Sequence, residues 1–125
     1  MDSMKKYYFI VFLMLILVVA AACGNQVFDG SRTGNDEQFL LDYYVLNCTK
    51  THEINLEKGT TVNVEIENKS GHVDILVSDT EGEEIYRGDN EKSGKFSITI
   101  PNKDIYEFSV TGKNAKGSVH FRVAD

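Results

Sequence analysis

Two cysteines, three histidines and a surplus of carboxylates are the groups in this 125-residue chain that could do chemistry. Cys48 and His52, four residues apart, come nearest to a nucleophile beside a base. A thiol attacks as the thiolate and needs an activating neighbour. No motif surrounds this pair, so Cys48 reads as a small apolar side chain bound for the interior. Serine chemistry would need an exposed nucleophile elbow such as Gly-x-Ser-x-Gly, and the sequence has none. One cysteine beyond the N-terminal region and three scattered histidines do not make a zinc spacing. Paired carboxylates occur at Glu65/Glu67 and Glu83/Glu84, where solvated charge is the expectation. Asp74, Asp79, Glu81 and Asp89-Asn90-Glu91 offer hard oxygen ligands for a loop calcium ion. They lack the Asp-x-Asp-x-Asp-Gly spacing, and ordinary turn chemistry explains them. Tyr43, Tyr44, Tyr86 and Tyr106 are amphipathic and suit either a ligand platform or the cover of a sheet. The absence of tryptophan argues against sugar stacking. No cofactor, metal or catalytic residue is expected, and a small hydrolase is the remotest reading.

The other cysteine, Cys23, has a different setting. Lys5-Lys6 precede an uncharged run from Tyr7 to Ala22, which ends in Ala20-Ala21-Ala22-Cys23. A basic start, an apolar stretch and small residues before a cut are the parts of an export signal. Translation could begin at Met4, directly before the lysines. Val19-Ala20-Ala21-Ala22-Cys23-Gly24 resembles the lipobox of bacterial lipoproteins. That resemblance implies a diacylglyceryl group on Cys23, cleavage just before it, and a domain held on the outer face of a bacterial membrane. Two acyl chains anchor stably where one binds marginally. The same alanines would also serve an ordinary secretory peptidase, and an uncleaved anchor is the third outcome.

Loss of residues 1–22 leaves 103, the size of one modest domain. That part holds eleven Lys/Arg against eighteen Asp/Glu, a formal charge of −7. The balance argues against nucleic acid, which recruits Lys/Arg clusters, and against a polybasic grip on anionic lipid. Asn47-Cys48-Thr49 and Asn68-Lys69-Ser70 match glycosylation acceptors, but behind a bacterial lipobox such matches are chance.

Residues 23–37 are rich in Gly, Asn, Asp, Ser and Thr and read as a flexible tether between the lipid and a domain over 38–125. Phe39 to Leu46 is apolar nearly throughout, suiting a strand covered on both faces, with a short helix over 36–41 as the alternative. After it, apolar residues alternate with polar ones in short runs. Val62/Val64/Ile66, Val73/Ile75/Val77, Phe96/Ile98/Ile100, Tyr106/Phe108/Val110 and Val119/Phe121/Val123 each mark one inward face. Clusters such as Asn68-Lys69-Ser70-Gly71, Asp79-Thr80-Glu81-Gly82 and Gly112 to Gly117 read as turns between them. About eight strands at this spacing predict an all-β, antiparallel sandwich of jelly-roll or Greek-key type.

Leu56-x-x-Gly59-x-x-Val62-x-Val64, Val73-Asp74-Ile75-x-Val77-x-Asp79-x-x-Gly82 and Tyr106-x-Phe108-x-Val110-x-Gly112 resemble pre-peptidase C-terminal domains and similar GOLD-type sandwiches. The resemblance implies an accessory, non-catalytic role in an exported protein. The sequence thus points to a membrane-held binding module whose partner is an unknown protein or envelope ligand. A calcium- or glycan-binding envelope protein is the alternative.

Overall fold

The computed structural model describes residues 26–124. The expected signal segment, Cys23 and the first residues of the expected tether lie outside the described residues. Seven strands follow in order: β1 (Val27–Gly34), β2 (Gln38–Asn47), β3 (Thr49–Leu56), β4 (Thr61–Ser78), β5 (Glu84–Gly88), β6 (Gly94–Thr99) and β7 (Asp104–Val123). Every pairing is antiparallel.

The alternating runs decide the two-layer arrangement. β4 and β7 are long enough to pass through both layers, and they stay paired with each other as they do so. In the first layer the order is β1, β2, the second half of β7, the first half of β4, then β6. In the second it is β3, the first half of β7, the second half of β4, then β5. Inward residues of the two layers meet: Phe108 of the second packs edge-on against Phe121 of the first, with ring centroids 5.0 Å apart. Phe39, Leu41, Val62, Val64, Ile75 and Tyr106 are among the buried side chains around them. Burying a side chain of this kind is worth about 1.5–3 kcal/mol, so the alternating pattern alone supplies a core.

Four departures from the sequence expectations have physical causes. Asn68–Gly71 and Gly112–Gly117 are bends within β4 and β7 rather than turns between separate strands, which reduces the eight expected strands to six, and β1 brings the number to seven. The register shifts between Asn68/Ser70 and Ser70/His72 turn β4 through the corner. Gly71, Asn114 and Gly117 supply the positive φ angles of 81°, 47° and 146°. Both bends carry turn-like composition because a corner in a continuous strand needs the same backbone freedom. A side chain at Gly117 would also put its Cβ 1.8 Å from the Glu67 carbonyl oxygen.

The polar stretch taken for tether is the second departure: residues 27–34 form β1, paired along its length with β2. An edge strand is held by backbone hydrogen bonds on one side and needs few apolar residues. Phe28 packs against the core. Arg32 stands in for an apolar residue by laying its guanidinium 5.0 Å from the centre of the Phe39 ring. Third, the alternative helix over 36–41 is not formed, because Gln38 onward is already β2. Fourth, β2 is covered on one face only. Its apolar run is continuous because a bulge after Tyr43 lets both Tyr43 and Leu46 face inward, while Tyr44 between them is 71% exposed.

The sandwich has two unlike ends. At one, the chain passes between layers at 47–50, 68–72, 89–93 and 112–117, and β1 begins beside Asn47. At the other, the connections at 34–38 and 79–84 turn the chain back within a layer, while those at 57–60 and 100–104 are tight links that also join the two layers. We call these the crossover end and the turn end. The open side between β1 and β3 is closed by side chains. Arg32 Nη2 donates to the Thr51 carbonyl oxygen at 2.5 Å, and His52 Nε2 donates to that of Asn35 at 2.8 Å.

Candidate functional site

The outward face of the first layer carries a set of polar side chains that the core does not use. Strand register places them next to one another. Gln38, Arg122, Asn63 and Ser97 form one row across the sheet. Leu40, His120, Glu65 and Lys95 form the next, and Asp42, Ser118 and Glu67 a third. Each position is outward because its strand neighbours are inward, so the alternation that builds the core also builds this face.

Two adjoining hollows lie on it. One, of about 380 Å³, is lined by Asn63, Glu65, Phe96, Ser97, His120 and Arg122. The other, of about 470 Å³, is lined by Asp42, Tyr44, Glu67, Gly117 and Ser118 together with β1. His120 Nε2 donates to Asp42 Oδ1 at 3.0 Å and so joins the two. Ser97 Oγ donates to Asn63 Oδ1 at 2.9 Å, and Lys95 lies 3.9 Å from Glu65. Arg122 enters no ion pair among the described residues, which leaves its five N–H donors available. The face therefore offers cationic, anionic, amide and hydroxyl groups over one sheet, with the Phe96 ring, stacked on Tyr86 at 4.9 Å, at its margin.

His120 and Asp42 resemble the base and orienting acid of a hydrolytic triad, but a nucleophile must hydrogen-bond to the same imidazole. Ser97 is turned to Asn63. What this set does chemically is donate and accept hydrogen bonds.

The residues singled out from sequence are dispersed. Cys23, the expected lipidation site, lies outside the described residues. Cys48 sits at the β2–β3 corner, partly buried against the core, with Sγ 3.7 Å from the Val27 carbonyl oxygen. Four residues of extended chain put His52 about 13 Å further along, where Asn35 engages it. The calcium candidates divide between the two ends. Asp74 Oδ1 accepts from the Asn90 amide at 2.7 Å and from His72 at 2.8 Å. Asp79 Oδ1 accepts from the amides of Glu81 and Glu83, both at 2.9 Å. Among the described residues no three His, Cys, Asp or Glu side chains are grouped to share a metal ion. Glu65 and Glu67 lie on the polar face, while Glu83 and Glu84 open β5 at the turn end.

The four tyrosines do not form one platform. Tyr106 is buried and donates to the Asn102 carbonyl oxygen at 2.5 Å. Tyr86 donates to Glu91, and burial followed by that carboxylate pushes its pKa up to about 12. Tyr43 is 5% exposed, its hydroxyl has no partner among the described residues, and its pKa too rises to about 12, from burial first and the Asp42 charge second. Only Tyr44 is broadly exposed.

Sequence reasoning had already turned Asn63, Glu65, Glu67, Ser118, His120 and Arg122 outward. It missed that they adjoin. The strands that bring Asp42 beside His120 are 78 residues apart, and nothing local encodes that pairing.

No family model matches the sequence, and neither does any curated protein. Among solved structures, the pre-peptidase C-terminal domain of a Bacillus anthracis collagenase is similar, with 13% identity over 80% of this chain and 99% of that one, at TM-score 0.49. PliG of Aeromonas hydrophila, a periplasmic inhibitor of g-type lysozyme, has 15% identity over 78% of this chain and 88% of its own, at TM-score 0.48. The corresponding PliG of Salmonella Typhimurium has 19% identity over 80% and 92%, at TM-score 0.45. The pre-peptidase type to which the sequence motifs pointed is thus among the similar structures.

Proposed function

We propose that this chain is an exported lipoprotein, acylated on Cys23, whose sandwich is a non-enzymatic binding module at the bacterial cell envelope. The polar outer face of the first layer is its recognition surface. The observation that carries the reading is that face itself: three rows of hydrogen-bonding side chains around two joined hollows, none of which the core requires. A partner with mixed charge and many polar groups, a protein or an envelope polymer, suits it, because donors and acceptors alternate within a few ångströms. Pockets of this kind fix orientation with a few placed polar groups. The lipobox supports the anchor, and two acyl chains suffice for stable attachment.

Two measurements test this reading. The mass of the membrane-extracted protein is expected to equal residues 23–125 plus a diacylglyceryl group, and Cys23→Ala is expected to leave an uncut or released protein. Normal maturation and unchanged retention of that variant would defeat the anchor. For the recognition face, a photoreactive residue at Ser97 is expected to give crosslinked partners in cells. The same residue at Glu53, on the opposite sheet face, is expected to give none. Equal adducts at both, or none at Ser97, would defeat the choice of face.

A further inference from the structure

The formal charge of the mature chain is not spread over the domain. The four connections of the turn end hold eight acidic residues and two lysines. The four passages of the crossover end hold five lysines and two acidic residues, a difference of sign between the ends. Of those two, Glu91 is engaged by the Tyr86 hydroxyl. Asp29, Glu67 and Asp74 lie a residue or two back on the strands. There Glu67 is paired with Lys69 at 3.7 Å, and Asp74 with His72 at 2.8 Å. Lys92, Lys113 and Lys116 enter no ion pair among the described residues, and Lys113 and Lys116 are exposed. The acidity that argued against contact with anionic lipid therefore lies on the turn end and the strands, not in the crossover passages.

Two further observations fall at the same place. Of the three large apolar side chains that are exposed among the described residues, Val27 (47%) lies at the crossover end and Tyr44 (71%) three residues before Asn47, close to it. Tyrosine is a residue that membrane interfaces favour. The chain also arrives there. Cys23 and Val27 are four residues apart, so whatever their conformation they are separated by at most about 14 Å. β1 then runs about 23 Å to the turn end. Because residues 27–34 are strand and not tether, an anchor on Cys23 cannot leave the domain free to tumble at a distance.

We propose that the crossover end is a membrane-facing surface. On a bilayer containing anionic lipid, the domain rests with Lys69, Lys92, Lys113, Lys116, Val27 and Tyr44 toward the headgroups and the acidic turn end directed outward. This rests on the anchoring of Cys23 proposed above. A lysine close to such a surface favours the docked orientation about fivefold, and the acidic end is repelled from it.

The test uses the native lipidated protein reconstituted in vesicles containing phosphatidylglycerol and a headgroup-linked quencher. A fluorophore is placed at Ser70→Cys in the β4 bend, or at Glu81→Cys at the turn end, each with Cys48→Ala. Flotation and intact mass are recorded on the same samples. Strong quenching at residue 70 with background quenching at residue 81 is the expected result. Lys113→Glu with Lys116→Glu, both exposed, should reduce the difference in a protein that still floats. Protein that floats but is quenched equally at both positions overturns the docking alone. Protein that lacks the acyl mass and does not float overturns the anchor, and the docking with it.

Discussion

Replacing Tyr43 by phenylalanine isolates a hydroxyl that is buried without a partner among the described residues. The ring is buried in the core cluster on β2, and phenylalanine keeps its shape. An unsatisfied buried hydroxyl costs about 1–3 kcal/mol, so Tyr43→Phe is expected to be more stable by about 1 kcal/mol at pH 8. The gap should then widen with alkalinity. The phenol ionises ordinarily at 10.0 and in the folded protein at about 12. Below pH 10 both states keep the proton and Tyr43 does not affect the slope. From 10 to 12 the unfolded chain loses its proton while the folded one holds it, so the parent loses stability as pH rises. At pH 11 this difference amounts to about 1.4 kcal/mol. Tyr86 titrates in both proteins and cancels from the comparison. Urea unfolding of the parent and variant at pH 8 and pH 11 measures both quantities. A variant less stable than the parent by 1 kcal/mol or more, on the scale of a lost hydrogen bond, would refute the argument. So would a gap that does not grow between the two pH values.

Other substitutions probe the elements around it. Phe108→Ala removes a fully buried ring packed on Phe121 and should lower the unfolding free energy by about 3–5 kcal/mol. Gly117→Ala brings a Cβ to 1.8 Å from the Glu67 carbonyl oxygen; strain of this kind costs at least about 1–3 kcal/mol, and Gly117→Ser should fail in parallel. Arg32→Ala loses the cation over Phe39 and the bond to Thr51; about 1 kcal/mol is expected at this exposed position, with faster hydrogen exchange along β1. The Ile105 amide and then Thr80 hold the Asp104 carboxyl below its ordinary 3.8. Its contribution is present above that value and lost as pH falls below it, a dependence that Asp104→Asn should remove from acid-unfolding profiles.

The inward faces of β4, β6 and β7 were legible because each core residue announces itself two positions from the next. Val62, Val64 and Ile66 could not serve a helix. What the alternation leaves out is pairing. Val64 lies between Phe96 and Phe121 in register, and neither assignment follows from its own neighbourhood. The corners were hidden for a related reason. Glycine and asparagine signal a change of direction, but not whether the ladder breaks there, and at Asn68–Gly71 it continues. β1 was illegible because its inward positions are filled by unusual means. Arg32 covers Phe39 with a charged group, and Gly34 lies so close to the His52 ring that a Cβ would meet it at 2.9 Å. The polar face inherits the same limits. Its residues were known to be wet, and their adjacency waited on strands far apart in the chain.

The placement of β1 also has a mechanical consequence. It starts at the crossover end, pairs among the described residues only with β2, and runs parallel to the long axis of the sandwich. A pull on Val27 directed away from that end, against a load held at the turn end, acts along the strand rather than across it. The bonds between β1 and β2 then resist in shear, together, instead of opening one after another from a free end. Sideways peeling at Val27 would meet them singly. The domain should accordingly be stiff to tension along its axis and weak to tension at right angles, a difference that single-molecule pulling through two attachment geometries would register as two rupture forces.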